Sequence, residues 1–580
     1  MRNLLLFILT FFSVSLQSAS PSVEWGTFIK ESRKSQGKEI NVVNKGRVFV
    51  MDSQDDKSTV WKTRDNKFFL SVFDGESLTR VSEIQLTVPS NITAKHSTYY
   101  FEDLFVSADQ VYALFEAYDK KTKASTLYAQ KITQDGKQVG KGVELGSLTT
   151  GGGYFFDGVV NGTFTPILSN DFTKFGLVLN HKGDVNTSQK IQGRVFGKDL
   201  KELANKTATL PHPMSLMDVQ ETYLTNDNKL VMNTIVYHPR GAEGDDRFKK
   251  MKSKKGVINF YYEILIFDLN TGDLKQVKLE VAPKKIAQVG IKVSNDGKVI
   301  KVAGSYTRMT KGFEVYFNSS KSGLSKSEGW FIATINVGSG KMSTVKSGVY
   351  SNEVLKEIKS KKQMKKIMAG SAKQKTKEIR NFELRDFVVK DDGSSVMILE
   401  YRHQYTETQS RTDSRGFTVQ TYVWHSKYNE LIVLSFDADN NLQWQTMVFK
   451  RQHARRSIKQ FEILYGMGYN HSYFLTVDND HVSIMFTDAT KNLKNLKKGK
   501  KLTSGVGAGG GIGVVVQIDN KGKQVRTALY TIAEKKQRLN FRPKGSWYPR
   551  NPTVKEPIYV VGIRTATIKK QQFKIGKLTW

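Results

Sequence analysis

No cysteine occurs in these 580 residues. That excludes disulfides, thiolate metal sites, a cysteine nucleophile and a lipid-modified cysteine at a mature N-terminus. Proline is scarce, 11 residues against 33 Phe and 23 Tyr, a balance that suits β-strands, which proline interrupts and aromatic rings fill. Acidic side chains number 55 against 89 Lys and Arg, for a formal net charge of +34. Beyond the first 20 residues no apolar run approaches the length of a membrane span, and the run at 4–14 is itself too short. The nine histidines, from His96 to His481, show no His-X-His or His-Glu-X-X-His spacing, so no metal centre and no cofactor is expected. A Gly-X-Ser-X-Gly nucleophile elbow and a Gly-Lys-Ser/Thr phosphate loop are both missing.

What the chain does have begins at its start. Residues 1–20 (MRNLLLFILTFFSVSLQSAS) combine a positive Arg2, an apolar stretch and a small-residue end at Ser18-Ala19-Ser20. This is the pattern of a secretory signal peptide, and it predicts a mature domain over 21–580 that is periplasmic, outer-membrane-associated or extracellular. A large exported chain without disulfides must hold together by burial, which fits a bacterial envelope protein better than a eukaryotic secreted one. Triplets such as Asn91-Ile92-Thr93 then read as chance rather than as glycosylation sites.

Six times a tight polar turn sits between short hydrophobic strands, and a second such turn follows 26 to 48 residues later. The first series is Asp109, Asn170-Asp171, Asn226-Asp227, Asn295-Asp296-Gly297, Asp391-Asp392-Gly393 and Asp478-Asn479-Asp480. The second is Asp135-Gly136, Gly197-Lys198-Asp199, Asn270-Thr271-Gly272, Gly338-Ser339-Gly340, Asp439-Asn440-Asn441 and Asn520-Lys521-Gly522. Apolar strands flank them, among them 111–118 (VYALFEAY), 230–238 (LVMNTIVYH) and 482–487 (VSIMFT). Two hairpins per unit is the signature of a β-propeller blade. The expected fold is all-β: a single β-propeller of about seven four-stranded blades. The last blade is completed by N-terminal strands at 68–73 and 78–88 together with C-terminal strands at 558–563 and 573–578. Two tandem β-sandwiches would leave the recurrence unexplained. Residues 352–380, rich in lysine and free of proline, predict an inserted helix capped by Asn352.

The positive charge is uneven. Residues 356–380 carry 10 basic and 2 acidic side chains, residues 450–459 carry 5 and 0, residues 239–256 carry 7 and 3, and residues 491–501 carry no acidic group. In a four-stranded antiparallel blade the first and third turns share one end, while the second turn and the link onward share the other. By the strand assignment all four segments emerge at the end opposite the short Asp/Asn/Gly turns. Candidate binding residues are Lys249, Lys250, Lys252, Lys254, Lys255, Lys361, Lys362, Lys365, Lys366, Arg455, Arg456, Lys497, Lys498, Lys500 and Lys501, acting collectively on an anionic partner. Solvated lysine loops that only maintain solubility are the plainer alternative.

Other motifs are weaker. The glycines of 504–513 (SGVGAGGGIG) precede a strand rather than open a helix, so they read as a connection. The segment 437–441 (DADNN) alternates oxygen ligands but lacks the glycine and distal glutamate of a calcium loop, so it reads as a turn. The segment 53–61 (SQDDKSTVW) departs from an Asp-box turn in spacing and places Lys57 where glycine belongs. Trp547, Tyr548 and Arg550, within SWYPRNPT, are residue types enriched at binding hot spots and equally suited to packing the last blade junction.

The stretch 437–450 (DADNNLQWQTMVFK), with its turn, Trp444 and closing basic residue, resembles the blade pattern of uncharacterised secreted β-propeller proteins of Bacteroidota. The resemblance implies fold and compartment and carries no catalytic residue across. The expectation is a binding or scaffolding module for an acidic glycan, lipopolysaccharide or an acidic envelope protein, with nucleic acid disfavoured by the export signal. The alternative is a propeller-fold glycan hydrolase or lyase with a site at the central channel.

Overall fold

A computed structural model describes residues 22–30, 38–54, 67–96, 98–149, 159–160, 162–181, 183–240, 259–281, 284–307, 326–370, 378–412, 418–458, 472–500, 502–503, 511–529, 539–547, 557–566 and 570–579. The expected signal peptide, the 53–61 motif beyond Gln54 and the glycines of 504–510 lie outside them.

The chain is all-β and forms eight four-stranded antiparallel sheets in sequence order. Each of the first seven is built on a four-stranded meander, to which the sixth adds a fifth strand. The fourth, for example, runs Met217–Leu224, Lys229–Tyr237, Phe260–Asp268 and Leu274–Lys278. Middle strands read as near-continuous apolar runs because they are covered on both faces: in His481–Ala489 every residue after His481 is buried. Outer strands such as Lys346–Val349 alternate. Hydrophobic clusters fill the spaces between consecutive sheets. One cluster joins the second sheet to the third through Phe105, Leu127 and Leu177, and another joins the fifth to the sixth through Ile332, Phe382 and Ile432. A further cluster packs Ile40, Val48 and Phe73 of the first sheet against Tyr559, Val561 and Phe573 of the eighth. Each fully buried aliphatic or aromatic side chain contributes roughly 1.5–3 kcal/mol.

The ends of the chain pair, but not as expected. The eighth sheet is Leu539–Trp547, Ile558–Ala566 and Lys570–Thr579, and its fourth strand is Ser22–Trp25, with Ser22 opposite Thr579. The strands at Lys67–Asp74 and Arg80–Gln85 belong instead to a sheet of their own with Lys38–Asn44 and Arg47–Gln54. The hairpin between those last two turns on Lys45 and Gly46, both at positive φ (48° and 72°). This two-residue turn matches strand twist, and glycine accommodates the conformation. Without that hairpin the turn pattern gives about seven units where eight sheets stand.

The short turns meet at one end of the molecule. Asn44 donates to the Asp109 carbonyl (3.1 Å), the Ala108 amide to Phe172 (2.9 Å), and the Asp171 amide to Asn226 (3.2 Å). Asn226 donates in turn to Asn295 (2.9 Å), Asn295 to Asp391, and Lys390 to the Asn479 carbonyl (3.1 Å). First turns of the first seven sheets are thus linked in order. The 437–441 turn is a turn, as expected: Asp437 accepts from the Asn441 amide at 2.7 Å, and the Asn440 side-chain oxygen accepts from the buried Lys301 at 2.9 Å.

Candidate functional site

Connectivity places the second turns and inter-sheet links at the opposite end. From this end rise two short helices, Asn352–Ile358 and Lys361–Met368, a third helix, Thr490–Lys497, and an extension of the sixth sheet. Among the described residues no helix is long and apolar enough to cross a membrane.

The single helix expected over 352–380 is a correction. The first helix is capped by Ser351, whose hydroxyl accepts from the Val354 amide at 3.3 Å, and not by Asn352. A second start follows at Ser360, where Ser360 and Gln363 satisfy each other's backbone amides. Two capped starts so close together break one helix into two. Residues 371–377 lie outside the described residues, and Ile379–Arg380 is a strand paired with Lys326–Ser327.

Lys362, Lys365 and Lys366 are exposed on the second helix, and Lys497, Lys498 and Lys500 are exposed at the end of the third. Arg455 is exposed on a strand, Gln452–Ile458. Lys361, Arg456 and Trp547 sit on described backbone in helix or strand. Lys249, Lys250, Lys252, Lys254, Lys255, Lys501, Tyr548 and Arg550 lie outside the described residues.

The segment 450–459 is not a basic loop. Lys450 is fully buried against Glu400, whose two oxygens also accept from the Ser472 hydroxyl at 3.1 and 3.0 Å. Burial pulls the Lys450 ammonium below its ordinary pKa, and Glu400 opposes that pull. Its charge is therefore spent internally. The strand after it, Gln452–Ile458, adds to the outer half of an unusually long hairpin, Ser395–Thr412 with Thr418–Phe436.

This three-stranded arm gathers histidines that lie far apart in sequence. His425 Nε2 is 2.9 Å from Glu407, and His425 Nδ1 is 2.9 Å from His453 Nε2. Because the carboxylate can only accept, His425 donates from Nε2, and one proton lies between its Nδ1 and His453 Nε2. Tyr405 stacks on His425 with centroids 4.6 Å apart. Only strand register (Tyr405 opposite His425, Lys427 opposite His453) brings these residues together, so the spacing could not reveal them.

At the same end a cleft of about 340 Å³ opens where the fourth sheet meets the fifth. Its floor is Phe260, Leu279, Val281 and Ile286, all buried. Tyr261 and His238 form one wall, with ring centroids 5.5 Å apart. Lys278 lies 5.2 Å from the Tyr261 ring centre and 2.9 Å from Glu280. Lys284 donates to Ser347 at 2.9 Å and lies 4.1 Å from the Tyr306 ring centre. Burial and the nearby Lys278 hold His238 below its usual pKa, and burial with Glu263 raises Tyr261. Beside the cleft His212 pairs with Glu263 at 2.9 Å. The strands that end at Tyr237 and begin at Phe260 bracket the lysine-rich 239–256 segment in sequence.

No family model matches the chain, and no curated protein does. Among solved structures it is similar to an eukaryotic initiation factor, at 8% identity and TM-score 0.32 over 87% of this chain and 90% of that one. It is similar to the β-propeller domain of a trilobed protease from Pyrococcus furiosus, at 10% identity and TM-score 0.30 over 76% of this chain and 100% of that one. A Synechocystis apocarotenoid oxygenase mutant aligns at 8% identity and TM-score 0.31 over 95% and 93%. Likeness at this level carries no argument about activity.

Proposed function

We propose that this chain is an exported, closed, eight-bladed β-propeller acting as a binding or scaffolding module. Its loop end engages an anionic partner: an acidic glycan, lipopolysaccharide or an acidic envelope protein. Ring closure is supported by the cluster that packs the first sheet on the eighth, and by Ser22–Trp25 completing the eighth sheet. The observation that carries the binding role is the division of labour between the two ends. Short Asp/Asn/Gly turns interlock at one, while exposed Lys362, Lys365, Lys366, Lys497, Lys498 and Lys500 project from helices at the other. Such clustering attracts anions and speeds encounter at low salt.

The test is retention of the mature protein on immobilised heparin, lipopolysaccharide and DNA at low and moderate salt. Retention on the first two that weakens with salt is expected, and Lys362→Glu/Lys365→Glu/Lys366→Glu should elute earlier with a flatter salt dependence. No retention at low salt on any of them sinks the reading. Export is tested separately by the mass of the N-terminus in fractionated cells, where a start near residue 21 is expected.

A second reading, a glycan hydrolase or lyase, draws on one observation. Tyr473 donates to Asp386 beside Arg385, at or next to the first strands of the sixth and seventh sheets, and burial raises the pKa of Asp386. Acidic polysaccharide turnover that Asp386→Asn abolishes would favour it over the binding role.

A further inference from the structure

The cleft between the fourth and fifth sheets has a floor and a rim of opposite character. Four buried apolar side chains line its base, an aromatic wall rises on one side, and Lys278, Lys284 and Lys285 stand against a single carboxylate, Glu280. The three lysines are not equivalent. Lys284 is engaged by Ser347 and the Tyr306 ring, and Lys278 is shared between Glu280 and the Tyr261 ring. Lys285 is exposed, and among the described residues no ion pair occupies it.

A bare phosphate or sulfate would use the lysines and leave the aromatic wall and apolar floor idle. A neutral sugar would use the floor and leave the cationic rim unanswered. An acyl chain would find Lys278, Glu280, Lys284 and Lys285 in the lining beside a short apolar floor. The ligand that uses every part has an apolar face, hydroxyls around its edge and one carboxylate. A cavity of this size falls at the lower end of small-ligand pockets, room for a sugar residue or two rather than a long segment.

We propose that this cleft binds a uronate residue of an acidic glycan, its pyranose ring against Tyr261 and the apolar floor and its carboxylate on Lys285 and Lys278. The inference rests on the anion-binding reading and narrows it to one ligand class. Glu280 accepts hydrogen bonds from sugar hydroxyls, and the neutral His238 ring both donates and accepts. Lysine rather than arginine at the rim suits a single carboxylate oxygen at a point charge more than a bidentate fork.

The experiment is calorimetric titration of the intact mature protein, at physiological salt, with trigalacturonate, a glucuronate trimer, trigalactose and inorganic phosphate. One of the two uronate trimers should bind at least ten times more tightly than trigalactose, and phosphate should compete weakly. Lys285→Glu and Tyr261→Ala should each weaken that binding about tenfold or more. If Tyr261→Ala does not fold, Lys285→Glu at an exposed position carries the test, with its melting curve checked against the parent. No response to either uronate, equal affinity for the neutral trimer, phosphate competing as well as the uronate, or an unaltered Lys285→Glu each overturns the assignment. Retention on heparin without a uronate response overturns the cleft assignment and leaves the broader reading standing. A uronate response without heparin retention keeps the cleft assignment and overturns the exposed lysines of the helices as the anion-binding surface.

Discussion

Lys450 and Glu400 meet with neither side chain reaching solvent, with Ser472 and Gln452 beside them and Arg385 3.6 Å from Glu400. A buried pair of this kind contributes little net stability, because desolvation offsets attraction, but losing Lys450 leaves Glu400 buried with only the more distant Arg385 to answer its charge. Lys450→Ala should therefore destabilise the protein by about 3–5 kcal/mol in urea unfolding. Lys450→Met with Glu400→Gln should recover part of that loss, since Arg385 then loses the Glu400 carboxylate, and a single substitution as mild as the double one would argue that water reaches the pair. Gly304 shows a different constraint: a Cβ there would lie 1.9 Å from the Gln288 carbonyl oxygen, beside the bulge between Ile286 and Gln288. Because the obstacle is backbone, Gly304→Ala should cost several kcal/mol by strain, on the order of the severe overpacking range, read as a fall in the urea midpoint.

The arm built from Ser395–Thr412, Thr418–Phe436 and Gln452–Ile458 is held by a chain of shared protons from Glu407 through His425 to His453. Burial, then His425, Lys427 and Arg455, keep His453 below its ordinary pKa. The folded arm thus prefers the neutral ring. A depressed pKa contributes stability that is present above the unfolded value, near 6.5, and is lost as pH falls below it. Protonating His453 places a positive charge beside Lys427 and Arg455. Hydrogen exchange within Gln452–Ile458, corrected for intrinsic rates, should accelerate between about pH 7 and 5, and His453→Gln should flatten the profile. A pH-independent profile in the parent would show that the strand is held by its backbone ladder alone.

At the scale of the whole molecule, Ser22–Trp25 covers the edge of Lys570–Thr579, and Val23 and Trp25 pack against the cluster shared by the sixth, seventh and eighth sheets. Removing residues 22–30 should uncover that edge, lower the melting temperature and promote association, measured by calorimetry and light scattering. A truncated protein that melts like the parent and stays monomeric would show that side-chain packing between the first and eighth sheets is sufficient without the strand. Interlocked turns at one end, where Lys45, Lys137 and Lys298 sit beside turn carboxylates, leave the longer links and α-helices to the other, and the cleft opens there, between two sheets rather than within one.

Turn chemistry and strand pattern determined most of the architecture from the sequence alone. Asp, Asn and Gly at turns, and apolar runs between them, are local signals, so six of the eight sheets were legible residue by residue. The Lys45-Gly46 hairpin and the Ser22–Trp25 strand were not, because the first turn is short and the second strand finds its partner some 550 residues away (Ser22 with Thr579). Charge was legible as a count but not as a surface. Nothing local distinguishes Lys450, buried on Glu400, from Lys362 in solvent. The cleft and the Glu407–His425–His453 chain were illegible for the same reason. Each is assembled from separate strands or links, and proximity across strands is set by register and by the packing of one sheet on the next, which only the tertiary structure decides.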